Sequence, residues 1–459
     1  MHRGEGGAIT THQSGAHLRI GPQNIGDILE EKMGNGEGVK ISLMNNPWVM
    51  LTAGILGMAM ISSLQYAWAL FVPDILKANP TFNKSEIQAA FATFIACMTF
   101  AGPLTGYLMD KFGTKIFFSL AAVLVAVGWG GIGMQDQIIP MCIFYGFAGI
   151  GASFVYTGGI AAALKWFPKK RGTASGIMAC GFGSGAALFG WLITMLVSNY
   201  GYKTAFLYTG VGFGAVLLLV AQVLRFPEVA APAKAAGPTT SKEADVKGYN
   251  PTQMFRTGQF YLIYGMFVLM AIGYMFLTPN IKLMANDYKI PAAIFTITFT
   301  LFTAANGLGR IVWGVISDKI GRENAMFVDF VACGLLYILL PFVSNNPYAF
   351  MIVVTLAFFC TGPMFAFFPP LTADRYGEKF LSSNYGVMYT AKGVGGLIGP
   401  TVITALAISY AKSQGFEVGW TVACSVIGAA SIASGLGAMI LKKIAKPVEV
   451  YPVRPAAKT

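Results

Sequence analysis

The chain has 459 residues, of which 55% are hydrophobic and only 11% are charged. Soluble globular proteins carry about 25% charged residues, so this chain has too few charges to cover the surface of a water-soluble enzyme of its length. The same composition excludes a disordered chain, and six cysteines are too few for a disulfide scaffold. The sequence therefore predicts an all-α integral membrane protein.

Twelve stretches of the chain are apolar over roughly 20 residues, the length that a helix needs to cross a bilayer. We number them spans 1 to 12: 48–72, 87–109, 115–134, 138–164, 173–197, 203–225, 258–281, 291–316, 324–344, 347–370, 384–409 and 418–441. Residues 226–257 are rich in Ala, Pro, Lys, Thr and Ser, which is typical of a linker. The prediction is one six-helix bundle in 48–225 (the N half), a central loop, a second bundle in 258–442 (the C half), and tails at 1–47 and 443–459.

The basic residues predict how the chain is oriented. Of the 32 Lys and Arg residues, 24 lie in the two tails and in the loops on their side of the membrane, whereas six lie in the opposite loops. Positive charge is enriched in cytoplasmic loops, so we expect both termini in the cytoplasm and the protein in the cell (inner) membrane. This distribution also explains the net charge of +12 without nucleic acid.

Histidine and cysteine give no indication of a metal or a cofactor. The three His residues lie in the N-terminal tail, and the six Cys residues lie inside apolar runs without a Cys-x-x-Cys spacing. We therefore expect no metal, no cofactor and no histidine proton relay within the membrane.

A short motif after span 2 recurs after span 8, and the two copies are 208 residues apart. The positions that they share are Gly106, Asp110, Lys111, Gly113, Gly314, Asp318, Lys319 and Gly321. A weaker repeat relates Gly176 in span 5 to Gly386 in span 11, at an offset of 210 residues. Two parallel halves of six helices are a transporter architecture.

The repeated motif predicts a conformational gate. Gly106 and Gly314 permit close approach of neighbouring helices. Asp110 and Asp318 stand at helix ends, where they can meet basic residues or helix N-termini of the opposite half and so close that side of the protein. The alternative is a plain charged turn after each helix.

Two basic residues lie inside predicted spans, Arg310 in span 8 and Lys392 in span 11. A charge in the bilayer interior costs at least about 2.5–3.5 kcal/mol, so a charge that is kept there indicates a function. Lys392 lies about 12 Å from the end of its span at 1.5 Å per residue, which is far for snorkelling. For Arg310, snorkelling toward Asp318 stays open as the alternative.

The counter-charge for these two cations is missing. Spans 1–6 contain no clear interior carboxylate, and span 9 offers only Asp329, near its cytoplasmic end. Two cations without an acid favour a bound anion, which Arg310 can hold through two hydrogen bonds while Lys392 supplies a point charge. Asn306 lies one turn before Arg310 on the same helix face and is a neutral polar neighbour.

With these features the chain resembles the major facilitator superfamily over about residues 48–445, since the repeated motif has that superfamily's pattern Gly-x-x-x-Asp-Lys/Arg-x-Gly-Lys/Arg. Four shorter segments resemble the oxalate/formate antiporter family within it. They are Gln65-Tyr66-Ala-Trp68, Trp166-Phe-Pro-Lys-Lys-Arg171-Gly, Asn306-Gly-Leu-Gly-Arg310 and Tyr385-Gly-Val-Met-Tyr-Thr-Ala-Lys392. The resemblance implies the major facilitator fold and a carrier that works by alternating access.

The resemblance also implies roles for individual residues. Arg310 and Lys392 match the two cationic substrate residues of the oxalate exchanger. Four residues match its N-half pocket, with helix packing as the alternative for each: Gln65, Tyr66, Gln88 and Tyr156. The chain departs from the exchanger's pocket pattern at Phe182, Thr361, Phe365 and Tyr389. These departures leave the choice among oxalate, formate, lactate and pyruvate open.

The sequence thus predicts a monomeric secondary transporter that exchanges small carboxylate anions of the oxalate/formate type. Proton-coupled symport of a monocarboxylate is the alternative within this class, and the shortage of interior acids disfavours it. The alternative from another class is a membrane receptor or sensor that has the same fold and transports nothing. A membrane enzyme is not expected, because no interior His, Ser–His pair or acid pair is present.

Overall fold

The computed structural model describes residues 45–82, 84–227 and 248–447, without the side chains at 84, 85, 88, 184 and 186–188. Most of both predicted tails and most of the predicted central loop therefore lie outside the described residues. Within the described ranges the regular secondary structure is helical, apart from one isolated bridge between Gly248 and Gly377.

The helices of the N half follow the predicted spans, with two spans broken and two joined. Span 1 consists of Pro47–Tyr66 and Trp68–Ala78, and span 2 of Lys84–Phe100 and Gly102–Phe112. Spans 3 and 4 are Thr114–Ile132 and Ile138–Trp166. Spans 5 and 6 form one run, Arg171–Val223, in which Gly201 leaves the helical region at φ 77° and ψ 161°.

The C half begins with a short helix, Pro251–Phe255, inside the predicted central loop. Its membrane helices are span 7 (Gly258–Asp287), span 8 (Ala292–Ile320), span 9 (Arg322–Val343), span 10 (Pro347–Thr361 and Met364–Tyr376), span 11 (Leu381–Ile398 and Thr404–Gln414) and span 12 (Phe416–Lys442). A π-helical turn at Gly399–Ile403 joins the two parts of span 11. It coincides with Gly399 and Pro400, which interrupt regular α-helical bonding.

The predicted all-α architecture of twelve membrane helices is confirmed. In the described ranges, ten helices are long and apolar enough to cross a membrane. An eleventh crossing is the pair Ala89–Phe100 and Gly102–Phe112, which is bent by 42°. The twelfth is the part of Arg171–Val223 that precedes the break at Gly201.

The last glycine of each repeated motif ends its helix. Gly113 and Gly321 have φ angles of 84° and 91°, a left-handed conformation that glycine adopts at little cost. Spans 2 and 8 therefore end shortly after Asp110 and Asp318, and the chain turns directly into spans 3 and 9. We call the side of the membrane where these two turns lie the motif side.

Small residues let the two halves touch on the motif side. A methyl group on Gly106 would lie 2.1 Å from the carbonyl oxygen of Ser382, and one on Gly314 would lie 2.4 Å from that of Gly172. Span 2 thus crosses span 11, and span 8 crosses span 5, at backbone contact. These two crossings set the positions of the side chains farther along the same four helices.

Aromatic side chains fill the interior of each half. In the N half, the buried Tyr145 hydroxyl donates to the carbonyl oxygen of Leu64 at 2.6 Å. In the C half, Phe267 stacks on Phe368 with 4.3 Å between ring centroids. Well-packed aromatic cores of this kind make each half rigid and so fix the positions of the residues that face the other half.

Candidate functional site

Arg310 and Lys392 meet in the interface between the two halves. Arg310 is 1% exposed and Lys392 is 2% exposed, so neither side chain extends to the membrane surface. Both cations lie near one ring, because the Phe365 centroid is 5.1 Å from the Arg310 guanidinium carbon and 5.8 Å from the Lys392 amine. We call this pair of residues the cation layer.

Arg310 reaches across the interface to span 5. Its Nη1 donates to the carbonyl oxygen of Ala179 at 2.6 Å, and its Nη2 donates to Oδ1 of Asn306 at 3.2 Å. Its Nε is buried and has no hydrogen-bond partner. Gly362 leaves room for this arrangement, because a methyl group there would lie 2.2 Å from the Asn306 oxygen and 3.2 Å from the Arg310 Nε.

Lys392 is held by neutral groups of both halves. Its amine donates to Oε1 of Gln65 in span 1 at 3.3 Å and to the hydroxyl of Tyr389 at 3.0 Å. The ring centroids of Phe182 and Tyr389 lie 5.5 Å and 5.2 Å from the amine. Aromatic faces stabilise a cation that has left water, but they do not neutralise it.

Neither member of the cation layer forms an ion pair with a carboxylate in the described part of the chain. The ion pairs found there join other residues, at or near the ends of helices. Snorkelling of Arg310 toward Asp318 does not occur, because Asp318 is bound to span 5 and to Arg322. Both basic side chains are therefore buried beside the same ring with only neutral hydrogen-bond partners.

Aromatic residues form the walls around the cation layer. Tyr156 stacks on Tyr389 with 4.3 Å between centroids and meets Phe182 edge-on at 5.2 Å. Tyr66 packs edge-on against Phe182 at 5.8 Å, and its hydroxyl lies 3.4 Å from that of Tyr274. The side chain of Gln88, which the resemblance assigns to the same pocket, lies outside the described side chains.

Tyr274 is a residue of this site that the sequence analysis missed. It is 4% exposed, and it is the partner of Tyr66 across the interface. The two tyrosines are 208 residues apart, the same offset as the repeated motif. Comparing the halves position by position would therefore have revealed Tyr274.

Three of the four residues that depart from the exchanger's pattern line the cation layer. Phe182, Phe365 and Tyr389 are in contact with it. Thr361 is different, because its hydroxyl lies 2.7 Å from that of Tyr337 and donates to the carbonyl oxygen of Ala357. Thr361 thus faces the interior of the C half.

Each motif aspartate binds the N-terminus of a helix in the opposite half. Asp110 accepts hydrogen bonds from the amide of Ser382 at 3.3 Å and from the amide and hydroxyl of Ser383 at 2.8 and 2.7 Å. Asp318 accepts from the amide of Gly172 at 2.9 Å and from the amide and hydroxyl of Thr173 at 2.7 and 2.6 Å. These carboxylates accept hydrogen bonds from amides at the starts of spans 11 and 5 that have no partner within the helix. Their negative charge also interacts favourably with the positive end of each helix dipole.

Ion pairs reinforce these contacts, more strongly around Asp318 than around Asp110. Arg322 pairs with Asp318 at 2.6 Å and with Asp374 at 3.2 Å. Arg171 pairs with Asp374 and with Glu378 across the interface. The sequence did not indicate this network, because Arg171, Asp374 and Glu378 lie outside the repeated motif and meet Arg322 and Asp318 only in the folded chain.

A further ion pair on the motif side is local to the N half, where Lys165 pairs with Asp110 at 3.3 Å. The motif lysines take no part in these contacts: Lys111 lies over the rings of Tyr107 and Phe112, and Lys319 is exposed.

Comparison with known proteins adds four findings. The family model described as Major Facilitator Superfamily matches residues 49–400 and 263–457. The chain is 31% identical over 417 residues to the oxalate:formate antiporter of Oxalobacter formigenes, which covers 90% of this chain and 96% of that protein. It is 25% identical over 364 residues to apicoplast pyruvate carrier 1 of Toxoplasma gondii, over 66% of each chain.

The fourth finding concerns the fold alone, because the identities are low. The proton:xylose symporter XylE superposes with a TM-score of 0.67 at 12% identity, over 87% of this chain and 96% of that one. The human organic anion transporter MFSD10 superposes with a TM-score of 0.61 at 13% identity, over 84% of this chain and 98% of that one.

Proposed function

Because the chain belongs to the Major Facilitator Superfamily and is a membrane transporter, we propose that it exchanges small carboxylate anions by alternating access. The observation that carries this proposal is the cation layer, in which Arg310 and Lys392 are buried between the halves and bonded to neutral groups. Buried charge is costly unless it is neutralised. An anion that enters between the halves would supply the missing charge.

The two cations would bind a carboxylate in different ways. Arg310 has an unpartnered Nε, and its planar guanidinium can present two donors to one carboxylate. Lys392 has three donors, two of which are used in this structure. Asn306, Gln65 and Tyr389 would then act as neutral partners around the bound anion, and Gln88 is proposed with them.

The charges of Arg310 and Lys392 favour an exchange mechanism over net transport of a carboxylate in one direction. An empty site with two positive charges resists enclosure in a medium of low dielectric, whereas a loaded site is close to neutral. The loaded carrier should therefore reorient faster than the empty one. In this proposal Asp110 and Asp318, which bind amides of the opposite half, hold the motif side closed, and these hydrogen bonds break when that side opens.

The relatives support a carboxylate as the substrate but do not indicate which carboxylate it is. One is named for oxalate and formate and another for pyruvate. Phe182 and Phe365 add apolar surface beside Lys392, which suits formate, lactate or pyruvate at least as well as oxalate. We also propose that a monomer works alone, with 48–225 and 258–442 as its moving bodies and the motif side and both termini in the cytoplasm.

Counterflow in proteoliposomes tests this function. The purified protein is loaded with unlabelled oxalate, formate, lactate or pyruvate and offered each anion in labelled form, with a neutral sugar as the control solute. We expect labelled carboxylate to accumulate only when a carboxylate is present inside. Rapid uptake into anion-free liposomes would contradict exchange, and acidification of the lumen during uptake would indicate proton symport. Absence of flux with every carboxylate would refute the transport proposal.

A further inference from the structure

Asp329 in span 9 is a buried acid that the proposed cycle does not use. It lies seven residues after Arg322, where the helix begins, and it is 0% exposed. Both of its carboxyl oxygens are buried, and the one side-chain hydrogen bond to the carboxyl group among the described residues is the weak one from the Cys360 thiol. The motif-side acids Asp110, Asp318 and Asp374 are all paired, so Asp329 is in a different situation from them.

The ionisable groups around Asp329 are neutral. Cys333 lies on its own helix and Cys360 on span 10, and both thiols are near the carboxyl group. The Tyr337 phenol follows on the same helix, with Cys424 of span 12 beside it. Thiols and phenols are weak donors that do not balance a carboxylate charge.

No cation of the described residues pairs with Asp329, and Arg310 of span 8 bonds to Ala179 and Asn306 instead. Arg322 pairs with Asp318 and Asp374, and Arg375 pairs with Glu323 at 2.7 Å. An ionised Asp329 would therefore be an unpaired charge in the interior of the C half, which costs several kcal/mol. A protonated carboxyl group avoids this cost.

The pocket of Asp329 is connected to the cation layer through span 10. Cys360, beside the carboxyl group, precedes Thr361, whose hydroxyl bonds to Tyr337 and lies 3.3 Å from the Cys333 sulfur. The next residue, Gly362, packs against Asn306 and the Nε of Arg310. A change of charge at Asp329 would therefore act on the segment that supports Arg310.

We propose that Asp329 is a proton-binding site of this carrier, occupied while the motif side is closed and able to release its proton when that side opens. Opening separates spans 8 and 10 from span 5 and lets water approach the first turns of span 9. The step is a simple equilibrium in which the carboxylic acid gives its proton to water and later regains one from water. Closing the motif side then requires that proton.

The proposal predicts how carboxylate exchange depends on pH, and to that extent it rests on the proposed function. In wild-type proteoliposomes the exchange rate should fall at alkaline pH by up to about tenfold per pH unit, the limiting slope for one required proton. Asp329→Asn keeps the shape of the side chain without its charge, so its rate should stay high and independent of pH. Asp136→Asn, at an exposed acid paired with Lys203, should retain the wild-type profile.

Infrared spectroscopy of the purified protein gives a readout that does not need transport. The wild type should show a C=O band of a protonated carboxyl group that titrates at alkaline pH and is absent from Asp329→Asn. A wild-type pH profile in Asp329→Asn, or an unchanged spectrum, would overturn the proposal. If Asp329→Asn fails to fold, the wild-type titration decides. If no carboxylate is transported, the proposed function fails while the infrared result still decides the protonation of Asp329.

Discussion

The two halves are alike on the motif side and different in the middle of the membrane. Asp110 and Asp318 are equivalent by the 208-residue repeat, and each binds two amides and one hydroxyl of the opposite half. In the cation layer the equivalence ends, because the N-half counterpart of Arg310 is Gly102 and that of Lys392 is Phe182.

This difference indicates that the contacts for conformational change and the proposed contacts for substrate binding are made by different residues. The parts that hold the halves together are duplicated, as expected if both halves move in a similar way during alternating access. The charges that we propose to bind the solute are confined to the C half, and the N half contributes neutral acceptors such as Gln65 and the carbonyl oxygen of Ala179. A rearrangement of the halves would therefore change the partners of the cations, which couples binding to movement.

The largest effect is expected from neutralising the unduplicated charges. Arg310→Gln or Lys392→Gln should lower carboxylate exchange by about 100-fold or more, in line with the 2–5 kcal/mol that removal of a buried, hydrogen-bonded charge costs. The exchange rate in proteoliposomes is the measurement, with protein folding checked by gel filtration. Arg256→Gln and Lys412→Gln, at exposed positions, are matched controls that should exchange normally. Wild-type exchange by Arg310→Gln or Lys392→Gln would remove that residue from the mechanism.

The duplicated glycines should respond alike. Gly106→Ala and Gly314→Ala would each push a methyl group against a backbone carbonyl at 2.1 and 2.4 Å and so oppose closure of the motif side. Overpacking of this kind costs about 1–3 kcal/mol, which corresponds to a roughly tenfold slower exchange. Gly212→Ala is the control, since no heavy atom lies within 4 Å of the added methyl group. A large effect of one glycine and none of the other would show that the two crossings are not mechanically equivalent.

The two aspartates should show a smaller and unequal effect. Asp110→Asn and Asp318→Asn each weaken a helix cap, and such a cap typically contributes about 1 kcal/mol, or roughly fivefold in rate if closure limits exchange. Asp318→Asn should be the more harmful, because Arg322 pairs with Asp318 at 2.6 Å whereas Lys165 pairs with Asp110 at 3.3 Å. The comparison is made on initial exchange rates. Equal effects would mean that the Arg322 network adds nothing to closure.

The sequence predicted the twelve membrane helices because about twenty apolar residues per crossing and the punctuating glycines are local signals. It did not predict the helix Pro251–Phe255, which begins with reciprocal hydrogen bonds between Asn250 and Gln253. The signal for this capping box lay within a segment whose composition indicated a linker.

Long-range contacts were harder to predict than helices. The sequence indicated that Arg310 and Lys392 are interior, but not that Gln65 would accept from Lys392 or that Arg171 would pair with Asp374. Those contacts depend on the rotation of each helix about its axis and on which helices cross. The apolar composition of a span predicts neither of these. The 208-residue repeat is the exception, because it relates positions that are far apart in the chain.

The smallest effect is expected where the repeat brings two equivalent residues together. Tyr66 and Tyr274 share one hydrogen bond of 3.4 Å between their hydroxyls. A bond this long lies near the low end of the usual range of about 0.5–1.5 kcal/mol, which corresponds to roughly threefold in the apparent KM for the carboxylate. Tyr66→Phe and Tyr274→Phe should therefore weaken binding equally, with Tyr348→Phe at an exposed tyrosine as the control. The double variant should be no weaker than either single one, because each removes the same bond. Additive effects would mean that the two hydroxyls contact the substrate separately. The two tyrosines would then be substrate-binding residues, like Arg310 and Lys392, and not part of the duplicated contacts that hold the halves together.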